Sequence, residues 1–369
     1  MSVAADTLFD GAYAGRRVLV TGHTGFKGSW LTRWLLELGA RVTGYALDPP
    51  TDPSLFDELG LADEIDHVVG DIRDPQHLAS VLAAARPEFV FHLAAQPLVR
   101  LSYDLPVETY TTNIMGTVNV LEAVRATPAV RALVNVTSDK CYENRETGQA
   151  YIETDAMGGY DPYSSSKGCS ELVTSAYRRS FFGEGSGVAI ATARAGNVIG
   201  GGDWALDRIV PDCVRALTAG EPVLVRNPDA VRPWQHVLEP LSGYLWLAAR
   251  IREGNHGLDG AWNFGPEPGE VWPVGSVVDG MVEAWGSGSW TTPAASGVQP
   301  HEAALLNLDI SKASRELGWR PVYDVSAAIQ ATAQWYAARH ADPSSVASVT
   351  AADIATYTTA ARNAGVAWL

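Results

Sequence analysis

Tyr163 and Lys167 stand four residues apart. On a helix that spacing puts a phenol and an ammonium on one face. A lysine beside a tyrosine stabilises the phenolate and lowers its pKa, giving a usable base for a hydroxyl at neutral pH. Alone, such a pair is more often a surface pair. Upstream, Ser138-Asp139-Lys140 follows an apolar run, and two charges directly after a buried strand are costly without a task. The bland alternative is an ion pair in a loop. Near the start, Thr21-Gly22-His23-Thr24-Gly25-Phe26-Lys27-Gly28 spaces its glycines as GxxGxxG. Glycines so placed allow a tight turn, close backbone approach to a pyrophosphate, and close packing of helix on strand. The phosphates then sit at a helix N-terminus. Gly22, Thr24, Gly25, Phe26 and Gly28 are therefore candidate contacts of a dinucleotide.

Residues of these types need a frame that brings them together. Short apolar runs at Arg17–Thr21, Arg41–Tyr45, His67–Val69, Glu88–Leu93, Ala132–Val136 and Val188–Thr192 alternate with helical patterns. The helices are expected near Phe26–Leu38, Leu78–Ala85, Pro106–Ala126 and Tyr163–Phe182. Regular alternation with continuous apolar strands predicts a parallel sheet covered on both faces, a Rossmann-type doubly wound α/β fold. The glycine turn then falls between the first strand and first helix, as its mechanism requires. Asp48, just past the second strand, can accept from the adenosine ribose hydroxyls and would repel a 2′-phosphate, favouring NAD over NADP. Its alternative is a solvated loop acid. Asp71 and the run Leu93-Ala94-Ala95-Gln96 fall at carboxyl ends of strands, where ligands collect in open α/β sheets.

After Arg194, glycine and proline punctuate shorter elements. This predicts a smaller mixed α/β C-terminal substrate lobe, interleaved with the last elements of the sheet. The expected division is 12–195 for the dinucleotide-binding domain, 196–340 for the lobe, and 341–369 for an Ala/Thr/Ser-rich extension with a helix near Ala351–Ala361.

The totals exclude several classes. A chain of 369 residues, 46% hydrophobic, can bury a large core. A formal charge of −15 argues against nucleic-acid and anionic-membrane partners, so an anionic substrate needs locally placed cations. Three cysteines without a CxxC pair read as reduced thiols in a cytoplasmic protein. The eight histidines show no ligand spacing, so no metal site is expected. Met1–Arg16 reads as no signal peptide, and no apolar run has the length of a membrane span.

The glycine turn, Asp71, Leu93–Gln96, Asn113 and Tyr163/Lys167 together resemble the extended short-chain dehydrogenase/reductases, across nearly the whole chain. Within that family, Thr137–Asn144, Gly158–Gly168, Gly196–Trp204, Arg232–Pro240 and His301-Glu-Ala303 resemble the CDP-glucose 4,6-dehydratase branch. The resemblance implies NAD as cofactor, held also by Ile72, Thr112, Tyr163 and Lys167, and a sugar nucleotide as substrate. It implies that Tyr163 takes the proton of the C4 hydroxyl. Asp139 would protonate the leaving C6 hydroxyl, Lys140 would take the C5 proton, and Ser138 would bond the C4 oxygen. Arg208 and Arg232 would bind the diphosphate, with Asn197, Gln96 and His301 as further substrate contacts. The long helices Pro106–Ala126 and Tyr163–Phe182 resemble those that pair two subunits, implying a homodimer or larger assembly. The loop 145–153 lacks the tryptophan and arginine expected of that branch. Two rivals remain. A sugar-nucleotide 4-epimerase or decarboxylase needs no couple for elimination, so Asp139-Lys140 argues against it. A non-catalytic NAD-sensing regulator typically loses the tyrosine or lysine, and both are present.

Overall fold

A computed structural model describes residues 5–145, 148–254, 256–270, 272–293 and 306–369. Its centre is a seven-stranded sheet: β1 (Arg17–Thr21), β2 (Arg41–Ala46), β3 (Asp66–Val69), β4 (Phe89–His92), β5 (Ala132–Val136), β6 (Ala189–Ala195) and β7 (Gly260–Phe264). All neighbours pair in parallel, in the spatial order β7-β6-β5-β4-β1-β2-β3. The order reverses between β1 and β4, which opens a crevice at their carboxyl ends.

Strand residues explain the two covered faces. Val18 and Val20 of β1, Phe89 and Phe91 of β4, and Val134 of β5 join one buried cluster. The intervening Leu19, Val90 and Leu133 join the other. Side chains alternate along a strand, so runs apolar at every position must be buried on both sides. One face is covered by α1 (Phe26–Glu37), through Trp30 and Trp34. The other is covered by α2 (Pro75–Ala85), through Leu78 and Leu82, and by α3 (Gly116–Arg125), through Val120, Leu121 and Val124. The expected start of α2 at Leu78 lies one turn late. Asp74 caps it by accepting from the Gln76 and His77 N–H groups, with Pro75 in the first turn.

The expected long helix 106–126 is helical throughout but not uniform. Pro106–Tyr110 is α-helical, Thr111–Met115 forms a π turn, and α3 continues from Gly116. Gly116 lies on Ile72, where a Cβ would come within 2.4 Å of Ile72 Cδ1. Then α4 (Pro162–Phe181) is capped by Asp161, which accepts from Ser164 N at 2.9 Å.

Past β6 the chain builds the smaller lobe from α5 (Ile209–Ala219), two-residue strand pairs such as Val231–Arg232 with Trp272–Pro273, and α7 (Val274–Trp285). Between them, α6 (Leu238–Arg252) packs under the sheet and β7 adds its last strand, so lobe and sheet are interleaved. The C-terminal stretch forms α8 (Val325–Ala341) and α9 (Val346–Ala364). The latter is longer than the expected 351–361 because Val346, Ile354, Tyr357 and Ala361 are all buried. Trp368 stacks on Phe9 and on Tyr357, closing an aromatic cluster over Trp34. Among the described residues, no helix is long and apolar enough to cross a membrane.

Candidate functional site

Four turns leave the carboxyl ends of β1, β4, β5 and β6 and meet in the crevice. The first is the glycine turn. Gly22 has φ +77°, and a Cβ there would lie 2.6 Å from Ala94 N, so the turn touches the loop after β4. A Cβ on Gly28 would lie 2.1 Å from Gly22 O, so only glycine lets α1 start this close to the strand. Gly25 caps α1 with no side-chain acceptor. No side chain caps its first-turn N–H groups, so they can receive an anion at the positive end of the helix dipole. Thr24 donates to the Leu47 carbonyl at 3.0 Å, fixing the turn to the end of β2. These residues fit a dinucleotide's pyrophosphate.

Past β2, Asp48 is exposed. Asp71 is held by Arg73, which donates to both of its carboxylate oxygens and pulls its pKa down. Ile72 is buried, its carbonyl accepting from Asn119. After β4, Leu93, Ala94 and Ala95 are half-buried along the crevice. Gln96, at the end of that run, is buried. Its side-chain amide donates to Leu98 O and Thr109 Oγ1 and accepts from Leu98 N, joining its own loop to the helix Pro106–Tyr110. Asn113, in the π turn, bonds both backbone groups of Gln96 and donates to Ser166 of α4 at 2.8 Å. It thereby ties the loop after β4 to the helix of Tyr163. Thr112 is half-buried beside it.

The helix α4 and the turn after β5 bring the reactive groups together. Ser138 lies between them: its hydroxyl donates to Asp139 Oδ1 at 2.9 Å and is near enough to the Tyr163 phenol to lower its pKa. The expected lowering of Tyr163 by Lys167 is not what the geometry gives. Burial pushes the phenol up to about 12, opposed first by the Ser138 hydrogen bond. Lys167 instead donates to the Val136 carbonyl at 3.2 Å, and burial pulls its ammonium down to about 8. Asp139 is 4% exposed, and burial raises its pKa against the pull of Lys140, Ser138, Arg232 and Lys27. A carboxyl so placed holds its proton more tightly than usual, which suits a proton donor. Lys140 is half-buried next to it.

From the smaller lobe, Arg208 reaches into the same space and pairs with the buried Asp203 at 2.8 Å. Arg232 is buried and donates to its neighbour Val231 O. Asn197 is half-buried, its carbonyl accepting from Gln235 N. His301 lies outside the described residues. Lys27, unassigned from the sequence, also enters the crevice: burial, with Arg208 nearby, lowers its pKa to about 8, while Asp139 opposes. A cation in the first turn of a helix opposes the dipole, a signal readable in the sequence that an anionic partner belongs there. Lys27, Lys167, Arg208 and Arg232 thus supply locally the positive charge that the whole chain lacks.

The geometry can bind a dinucleotide and an anionic substrate, take a proton from a hydroxyl at Tyr163, and give one from Asp139 a single serine away. Known proteins agree in kind. Residues 18–265 match the model of the NAD dependent epimerase/dehydratase family. The CDP-glucose 4,6-dehydratase of Salmonella typhimurium strain LT2 is 53% identical over 331 residues, covering 88% of this chain and 92% of that protein. A dTDP-glucose 4,6-dehydratase of Xanthomonas campestris pv. campestris is 28% identical over 338 residues, 86% of this chain and 92% of its own length. Among solved structures, the dTDP-glucose 4,6-dehydratase of Streptomyces venezuelae with NAD bound superposes with a TM-score of 0.74 at 25% identity, over 89% of this chain and 99% of that one. The UDP-glucose 4-epimerase of Thermus thermophilus in complex with NAD gives 0.74 at 25% identity, over 87% and 98%.

Proposed function

This chain belongs to the NAD dependent epimerase/dehydratase family, and from that premise we propose that it is an NAD-dependent CDP-glucose 4,6-dehydratase. The observation that carries the reading is Ser138, whose hydroxyl donates to the Asp139 carboxyl at 2.9 Å and lies near enough to the Tyr163 phenol to lower its pKa, with Lys140 adjoining. An epimerase has use for the phenol but none for a buried acid and an amine beside it. The 53% identity to a CDP-glucose 4,6-dehydratase supports CDP-glucose as the substrate.

Bound NAD supplies the acceptor for hydrogen at C4 and later returns it at C6. Gly22, Thr24, Gly25, Phe26 and Gly28 would hold its pyrophosphate, Asp48 its adenosine ribose, Asp71 and Ile72 its adenine, and Ala94, Ala95, Thr112 and Lys167 its nicotinamide end. Tyr163 takes the proton of the C4 hydroxyl as that carbon is oxidised to the ketone. The ketone acidifies C5–H, and Lys140 removes that proton. Asp139 gives its proton to the C6 hydroxyl, which leaves as water while the C5–C6 double bond forms. When C6 has been reduced, Lys140 returns its proton to C5. On product release Tyr163 gives up one proton and Asp139 takes one up by exchange with solvent, which restores both groups and closes the balance. Arg208 and Arg232 hold the diphosphate, Arg208 exchanging Asp203 for it.

In this reading 12–195 is the NAD-binding domain, 196–340 the sugar-nucleotide lobe, and 341–369 an extension that closes the core. A homodimer is part of the proposal. Val107, Met115, Leu172 and Phe181, on the two long helices, are exposed apolar side chains that a second copy can cover. The test is an activity panel with CDP-, dTDP-, GDP- and UDP-glucose, read by mass loss of one water. Loss of water from CDP-glucose in preference to the others is expected. Interconversion at C4 without loss of water would replace this reading by the epimerase.

A further inference from the structure

Glu171 follows Tyr163 and Lys167 on the same face of α4, one turn beyond the lysine, and is 4% exposed. One carboxylate oxygen accepts from Thr137 Oγ1. The other accepts from Thr192 Oγ1 at 2.7 Å and from Arg194 Nη2 at 2.8 Å, both on β6. Arg194 goes on to donate to the Tyr142 hydroxyl at 2.7 Å and to the Glu153 carbonyl at 3.0 Å, with its guanidinium over the Tyr142 ring. Tyr142 in turn donates to Asn263 Oδ1 of β7.

Thr137 and Tyr142 are the residues on either side of Ser138-Asp139-Lys140-Cys141. A single buried ion pair therefore grips both ends of the turn that carries the acid and the amine, and does so from the helix that carries the phenol. A buried pair of this kind is poor evidence of stabilisation, because apolar residues of equal volume often serve as well. What an apolar cluster lacks is direction. The Thr137 hydroxyl donates to one oxygen of Glu171, and the Tyr142 hydroxyl accepts from Arg194 while donating to Asn263, and these directed bonds fix the turn's position along the helix axis. Burial tends to raise the Glu171 pKa, but Arg194 and the two threonine hydroxyls hold it below its ordinary value, so the carboxylate stays ionised as an acceptor.

We infer that Glu171 and Arg194 are positioning residues: through Thr137 and Tyr142 they keep the elimination couple, Asp139 and Lys140, in register with Tyr163. The inference rests on the dehydratase reading, since only a reaction with two stages at neighbouring carbons needs two couples held in register.

The test uses full-length Thr137→Val and Tyr142→Phe, each freeing one end of the turn, with Thr137→Ser to restore the hydroxyl. Thr192→Val is the control: it removes a hydroxyl from the same carboxylate without touching the turn. Rapid quench and mass spectrometry separate the 4-keto sugar that still carries its C6 hydroxyl from the dehydrated product. Both freeing variants should lose water on the order of 10–100-fold more slowly, the cost of misplacing a reacting group by about 1 Å, and accumulate the hydroxylated ketone. KM and the rate of C4 oxidation should hold, and Thr137→Ser and Thr192→Val should behave as the unaltered enzyme. Amide hydrogen exchange over residues 137–142 should quicken in the two freeing variants alone. Because exchange needs no substrate, it tests the grip even if the unaltered enzyme dehydrates none of the nucleotides, a result that would sink the dehydratase reading instead. Should Thr137→Val not fold, Tyr142→Phe decides by itself. Unchanged partitioning and exchange in the freeing variants, an equal effect in Thr192→Val, or oxidation falling in step with water loss each overturns the inference.

Discussion

Replacing Asp139 with asparagine isolates the proton from everything else the side chain does. The residue is 4% exposed and accepts from the Ser138 hydroxyl at 2.9 Å. Asparagine has nearly the same volume and keeps an acceptor oxygen, so packing and the serine bond persist while the donated proton is lost. A positioned general acid contributes about 10²–10⁴-fold, which is about 3–5 kcal/mol of barrier, so Asp139→Asn should slow water loss by that factor. Oxidation at C4 belongs to Tyr163 and should remain within a few-fold. Rapid quench should therefore find the 4-keto sugar with its C6 hydroxyl intact. Stability moves the other way. Burial raises the Asp139 pKa above its unfolded value, so the folded protein binds that proton more tightly than the unfolded chain does. Its stabilising contribution is complete below the unfolded pKa and is lost as pH rises through the folded one. Asparagine carries no such loss, so the variant's melting temperature relative to the unaltered protein should improve as pH rises from the acid range to neutrality. In the unaltered enzyme the elimination rate should fall on the alkaline side of a pKa above the ordinary carboxylate range, and that limb should vanish in the variant. Water loss within about tenfold of normal, below the least expected of a general acid, would refute the assignment. So would oxidation and elimination declining together.

Lys140→Met should leave C4 oxidation measurable and block release of water, read by the same quench; near-normal dehydration would remove Lys140 as the base. Turnover in deuterated water should place deuterium at C5, as seen by NMR of the product, because the C5 proton passes through an exchangeable amine. Trp368→Ala should cost about 3–5 kcal/mol, as large aromatic truncations in a core do. The side chain is fully buried, stacked 5.0 Å from Phe9 and 6.0 Å from Tyr357. For 369 residues that is roughly 4–6 °C in Tm for a two-state transition, and calorimetry showing no change would mean the extension is not part of the core.

The sheet was legible because its strands are apolar at every position, which only a strand buried on both faces tolerates. The Tyr163/Lys167 pair was legible because helical periodicity needs no tertiary information. The smaller lobe was legible only as a lobe: its strands are two residues long, too short to show alternation. The bonds Gln96 makes were not legible, because a strand-end position says nothing about which way an amide turns, and here it turns to Leu98 and to Thr109 of the following helix. The Tyr163 pKa was misread for a related reason. Spacing puts Lys167 on the same face, but the Val136 carbonyl stands in reach of the ammonium, and burial of the phenol outweighs what remains.

Arg194 and Glu171 show what the sequence held unread. An arginine inside the strand Ala189–Ala195, all of whose residues are buried, cannot stay charged there without an acid, and an unpaired buried charge is among the costliest defects a fold can carry. The acid had to come from an element crossing β6, and Glu171 stands at the next helical position after Tyr163 and Lys167. That reasoning finds the pair, but not its purpose. Purpose appears only when the hydroxyls are added, because Thr137 and Tyr142 lie in a turn whose path no periodicity describes. The two couples of the reaction come from separate elements, a helix and a strand end, and separate elements drift relative to one another unless something directional joins them. Apolar contact sets their distance, whereas the bonds from Thr137 to Glu171 and from Arg194 to Tyr142 set their register. A site that must remove hydrogen at one carbon and hydroxide at the second carbon along requires both.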